Sequence, residues 1–156
     1  MTRAIEFEFY DKKLGFMGKV VSMSIDQNWA MVTFSYAQPE TPDDEVALSD
    51  GFLRQFTGLF DKNGVKIFEG DIIQFTYWWF DGEEQQSILT GELIYSEDLI
   101  SFQLKGVRNS VWEKHNGYQD DCEYLVPFAT LNFDEADFEV IGNIYLNPEL
   151  INKEQN

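Results

Sequence analysis

The sequence predicts a mainly β protein: antiparallel strands closing into a small barrel, with an additional N-terminal β-sheet segment and little helix. Three observations predict it. Apolar residues recur at period two in short runs, as at Ile5, Phe7 and Phe9. Alternate side chains of a strand point to opposite faces, so this period marks a half-buried strand. Clusters of Gly, Asn and Asp separate the runs, and these residues tolerate or template tight turns. No stretch holds a convincing 3.6-residue apolar period over three turns, so no long helix is expected.

Ile5, Phe7 and Phe9 alternate with Glu6, Glu8 and Tyr10 to predict a first strand, turned by Asp11-Lys12-Lys13-Leu14-Gly15. Val21, Met23 and Ile25 alternate with Ser22 and Ser24 as a second, and Asp26-Gln27-Asn28 supplies the next turn. A third strand runs from Trp29 to Tyr36, with Val32, Phe34 and Tyr36 on one face. Prolines 39 and 42 and the acids at 40, 43, 44 and 45 then predict an acidic loop over residues 38–51.

Beyond it, Asn63-Gly64 is a strong hairpin signal, because both residues tolerate the positive φ of a type I′ turn. Glu69-Gly70-Asp71 makes a second tight corner. Ile73, Phe75, Tyr77 and Trp79 then alternate with Ile72, Gln74, Thr76 and Trp78 as a long strand, turned by Asp81-Gly82-Glu83-Glu84. Residues 88–95 and 99–104 read as a hairpin around Ser96-Glu97-Asp98. Residues 105–123 have no steady period and read as a long excursion; 124–131 add a further strand. Phe138, Val140, Ile144 and Leu146 predict the last strand, with Gly142 on the same face marking a bulge or bend. Asn147-Pro148-Glu149 reads as the start of a short helix. Five to six strands between residues 53 and 146 fit a small SH3-like barrel. The expected organisation is one domain over 1–156: N-terminal strands at 1–37, the acidic loop at 38–51, a barrel-like β region at 52–147 and a tail at 148–156.

The 156 residues suffice for a core, and 44% are hydrophobic and 16% aromatic. One cysteine, Cys122, excludes an internal disulfide and suits a reducing compartment. Acids interrupt the N-terminal residues before any apolar run, so no secretory signal is expected. No apolar run approaches the ~20 residues a membrane span needs. Net charge is −17, from 28 acids against 11 bases. Nucleic-acid phosphate is bound by neutralising cations, so direct DNA or RNA binding is not expected. The acids are unevenly placed: six lie between Lys19 and Arg54, and eight between Lys66 and Lys105, with no base in either interval.

Catalytic and metal chemistry find little support. His115 stands near Glu113, Asp120, Asp121, Cys122 and Glu123. It lacks a second histidine, a Cys-x-x-Cys pair or helical His spacing, so a solvated acidic loop is expected. The neighbouring aspartates would raise the thiol pKa of Cys122, the reverse of activation. The adjacent pairs Asp120-Asp121 and Glu83-Glu84 would point to opposite faces of an extended chain. Trp78 and Trp79 form the most aromatic spot and a candidate interaction surface, or else pack beneath another element.

The run Gln55-Phe56-Thr57-Gly58-Leu59-Phe60-Asp61-Lys62-Asn63-Gly64-Val65-Lys66-Ile67-Phe68-Glu69-Gly70-Asp71-Ile72-Ile73 resembles the YopX family of small bacteriophage and prophage proteins. A second match is Phe138-Glu139-Val140-Ile141-Gly142-Asn143-Ile144-Tyr145, followed by Asn147-Pro148-Glu149-Leu150. The resemblance implies a β-rich fold, an SH3-like barrel and residence in a bacterial host cytoplasm. It implies no chemistry. Turn and core roles account for Thr57, Gly58, Asn63, Gly64, Glu69, Gly70, Asp71, Gly142 and Asn143, and Asp61, like Asp71, is expected to cap a turn through its own backbone.

The expected function is that of a non-enzymatic phage-type accessory protein that binds another protein through an acidic, aromatic-rich surface. A more specific form is an anionic DNA mimic that occupies the groove of a DNA-binding protein. The remaining alternative is a carboxylate enzyme with an aromatic pocket. No cofactor and no membrane partner are expected, and homo-oligomerisation stays open.

Overall fold

The structure, a computed structural model, describes residues 4–34, 43–80, 82–98, 100–109, 126–127 and 137–151. The chain divides into two compact units, Met1–Gly58 and Leu59–Asn156. The division falls inside a strand, not in the acidic 38–51 stretch.

The first unit holds β1 (Phe7–Asp11), β2 (Phe16–Ser24), β3 (Trp29–Phe34), β4 (Asp44–Ala47) and most of β5 (Gly51–Phe60). They pair antiparallel in the order β4-β3-β2-β1-β5. The alternation of β3 sends Ala30, Val32 and Phe34 to one face, where they form a core with Phe9. Val20, Met23, Val46 and Leu48 pack around it. Burying each of the larger side chains stabilises by about 1.5–3 kcal/mol.

Two expectations are corrected here. Val21 and Ile25 do not share the buried face with Met23; they are 58% and 72% exposed. The register shifts between Val20 and Ser22, so Val20 opposes Val32 and Met23 opposes Ala30. One extra residue in β2 flips the parity of everything after it. The acidic loop also ends sooner than expected. Residues 44–47 form β4, because Val46 opposes Ala30 and joins the core from the edge of the sheet. Residues 35–42 lie outside the described part.

The second unit contains the end of β5 and its neighbour β6 (Lys66–Phe68). With them are β7 (Asp71–Phe80), β8 (Glu84–Ser96), β9 (Ser101–Asn109), β10 (Val126–Pro127) and β11 (Asp137–Asn143). The order β10-β9-β8-β7-β11 returns the last strand to the side of β7. Ile73 and Phe75 of β7 meet Ile67, Leu93, Leu104 and Phe138 in the core. Phe75 opposes Phe138 in register and stacks on it at 5.4 Å. Ile72 is buried too, so β7 is covered on both faces at its start.

The mainly antiparallel β architecture with almost no helix is therefore present. The described strands form open sheets, and no closed barrel is found among them. Helical structure in the described residues amounts to two 3-10 turns, Leu48–Asp50 and Pro148–Leu150. No helix there is long and apolar enough to cross a membrane.

Candidate functional site

The 61–71 segment and the 138–147 segment, far apart in sequence, meet in the second unit around one carboxylate. Asp61 follows β5 and is 7% exposed. Its Oδ1 accepts from the backbone N–H of Asn63 at 2.8 Å and of Val65 at 2.9 Å. Its Oδ2 accepts from the backbone N–H of Val140, in β11, at 3.1 Å. The backbone N–H of Lys62 donates to the Phe138 carbonyl at 3.0 Å. Phe138 C=O and Val140 N–H lie on the edge of β11 away from β7. The 61–65 turn thus stands where a further strand would pair, which blunts an exposed sheet edge. Burial alone would raise the Asp61 pKa; the N–H donors outweigh it and hold the carboxyl below its ordinary value.

The same donors set the turn. Asp61 N–H donates to Val65 O at 2.8 Å, and Gly64 N–H donates to Asp61 O at 3.0 Å. Gly64 has φ +79°, whereas Asn63 does not enter the positive-φ region. The expected type I′ hairpin is therefore replaced by a three-residue connection with glycine at its left-handed position. The cause is Asp61, which satisfies both the Asn63 and Val65 N–H groups. Beside the turn, Lys62 Nζ meets Glu139 Oε2 at 2.9 Å in a partly exposed ion pair.

Gly70 forms the second seam. It has φ +79°, and a Cβ there would sit 3.1 Å from the Tyr145 ring and 3.4 Å from Ile144. Its N–H donates to Leu93 O at 2.7 Å, and its carbonyl accepts from Ile144 N–H at 3.0 Å. A side chain would be strained in this conformation and would press on Tyr145. Asp71, 2% exposed, accepts from Phe68 N–H at 2.7 Å and closes the β6–β7 corner.

The C-terminal motif is tied by two asparagines. Asn143 Oδ1 accepts from Tyr145 N–H at 3.1 Å and Leu146 N–H at 2.9 Å. Asn147 Oδ1 reaches back to Asn143 N–H at 3.3 Å. Asn147 therefore does not cap the following turn with its side chain, as its place before Pro148 suggested. The predicted last strand stops at Asn143, and residues 144–146 turn instead. The expected bulge is present as a register shift between Val140 and Gly142.

The other predicted residues place as follows. Thr57 is buried at 7% exposure and Gly58 has φ +90°, both within the first unit. Glu69 is half-buried near Glu92, which faces Lys105 across β8 and β9. Burial pushes the Glu92 carboxyl up, Lys105 pulls it down and Glu69 pushes it up again; the net direction is up. The backbones of Trp78 and Trp79 oppose Gln86 and Gln85, but their side chains lie outside the described part. His115, Cys122, Glu113, Asp120, Asp121 and Glu123 also lie outside the described residues. Among the described residues no group of His, Cys, Asp and Glu gathers as metal ligands. Sequence reasoning assigned Asp61 a turn and missed its reach to Val140, and it missed the Asn147 link. The turn chemistry was visible in the residue types, whereas a partner 79 residues away leaves no periodic trace.

Fold and site together define an antiparallel β protein whose most distinctive polar residues clasp its own backbone. A family model described as "YopX protein" matches residues 7–152, and the chain belongs to the YopX family. Among solved structures, the crystal structure of protein EF1440 from Enterococcus faecalis is similar, with a TM-score of 0.55 and 24% sequence identity. The match covers 97% of this chain and 100% of that one, and it bears on the fold alone. No curated protein matches the chain.

Proposed function

We propose that this YopX-family chain is a non-enzymatic, phage-type accessory protein that acts in the bacterial cytoplasm by binding another protein. The observation that supports this most is how the motif uses its polar groups. The carboxylates of Asp61 and Asp71 and the amide of Asn143 accept from backbone N–H groups of their own chain. Beside this scaffold, Phe60 at the end of β5 and Val65 before β6 are 53% and 47% exposed. Exposed apolar side chains on a rigid hairpin suit a protein contact. At net charge −17, the fitting partner presents an apolar patch rimmed by Lys and Arg, which would speed encounter.

The test is affinity capture from bacterial lysate with the intact chain and with a Phe60→Ser/Val65→Ser variant that stays folded. A protein retained by the parent and lost by the variant is expected. Recovery of nothing above background from the parent would overturn the reading. Should the captured protein bind DNA, and duplex DNA displace it in a salt-dependent manner, the phosphate-imitating form would be the one in use.

A further inference from the structure

The Asp61 turn carries a reactive dipeptide with a role of its own. Asn63 and Gly64 are both exposed. In an Asn-Gly pair the following backbone nitrogen can attack the side-chain amide carbon with no Cβ in the way. We propose that Asn63 is a covalent modification site, deamidated through a succinimide at a rate that Asp61 controls.

The chemistry needs only water and base. The deprotonated Gly64 nitrogen bonds to Asn63 Cγ, the Cγ–Nδ2 bond breaks, and ammonia leaves with the proton. Water then opens the five-membered ring at either carbonyl, leaving aspartate or isoaspartate at position 63. Nothing is oxidised or reduced.

Asp61 holds both reacting partners. Gly64 N–H, the nucleophile's proton, is donated to Asp61 O at 3.0 Å. Asn63 N–H is donated to Asp61 Oδ1 at 2.8 Å. Attack requires the turn to open first, so the folded rate is the unfolded rate reduced by the cost of opening.

The product matters to the fold. Isoaspartate adds a methylene to the main chain inside the loop closed by Asp61 N–H and Val65 O. The lengthened loop no longer sets Lys62 N–H against Phe138 O and Asp61 Oδ2 against Val140 N–H together. The edge of β11 is then uncovered, which invites pairing with another chain.

The experiment incubates the full chain in mildly alkaline buffer, folded and in urea. Peptide mapping by mass spectrometry follows the fragment containing Asn63, and an isoaspartyl methyltransferase labels the product. Conversion at Asn63 is expected in both states, slower in the folded chain by about tenfold, as loss of two restraining hydrogen bonds would give. Asp61→Ala, where circular dichroism shows it folded, removes the acceptor of Asn63 N–H but keeps the main-chain carbonyl that holds Gly64 N–H, and is expected to close part of that gap. Hydrogen exchange of the Gly64 amide in the parent gives an independent measure, and slowed exchange is expected. Absence of product at Asn63 would overturn the site. Equal rates folded and unfolded, or an unprotected Gly64 amide, would overturn control by Asp61.

Discussion

Asp11 in the first unit and Asp61 in the second are the same residue at the same burial, 7% exposed, and each leads a strand into a turn. Asp11 Oδ1 accepts from Lys13 and Leu14 N–H at 2.8 Å each, both within its own hairpin. Asp61 does the same with one oxygen and sends the other to β11. The difference teaches that an identical local signal can be a turn cap in one place and a long-range clasp in another. What separates them is whether a distant strand brings an N–H within reach. The first unit is built largely by alternation and neighbouring hairpins, whereas the second returns its last strand to β7 and fastens it there.

The sharpest way to break this contrast is at the second seam. Gly70→Val combines a left-handed φ with a side chain pressed on Tyr145, and should cost about 4 kcal/mol. Urea denaturation measures it, and a variant as stable as the parent would remove Gly70 from the account. Next comes Asp61→Ala, which leaves three backbone N–H groups without their acceptor and should cost about 3 kcal/mol. The matched Asp11→Ala should cost about 1 kcal/mol, because water can replace the carboxylate at the exposed Lys13 and Leu14. Equal losses in the two variants would erase the distinction between cap and clasp.

Acid titration sharpens the same point. The folded-state pKa of Asp61 lies below its ordinary value, so the unfolded chain takes up that proton first as pH falls. Its contribution is full above about pH 4 and is lost as pH drops through the folded value. The difference in stability between the parent and Asp61→Asn should therefore shrink below that range, as thermal melts at stepped pH would reveal. Glu92 has the opposite sign: its raised pKa favours the folded state below its unfolded value, and that contribution fades as pH rises. The smallest expected effect is Lys62→Ala, about 0.5 kcal/mol or less by denaturation, because its ion pair with Glu139 is partly exposed. Its backbone bond to Phe138 survives the change. A loss near that of Asp61→Ala would shift the clasp from carboxylate to ion pair.

Much of the fold was legible where it depended on neighbours in sequence. Phe75 and Ile73 sit in the core as their alternation required. The corner at Glu69-Gly70-Asp71 and the bulge near Gly142 both stand where their residue types placed them. Val21 was misread because a bulge leaves no mark in the residue types, yet it reverses every face after it. β4 was hidden among prolines and acids, since its stability comes from β3 and from Val46 packing on Ala30. Of the site, the turn role of Asp61 was legible and its hold on Val140 was not.

By itself, then, the order of residues determined most of the strands, the corners and the negative charge, because alternation, turn chemistry and titration act over a few bonds or none. Tertiary structure alone decided which strands lie side by side, that the described sheets stay open, and that a carboxylate in a hairpin fastens an edge strand. Those outcomes rest on contacts between segments whose separation along the chain imposes no period, so only the folded backbone brings donor and acceptor together.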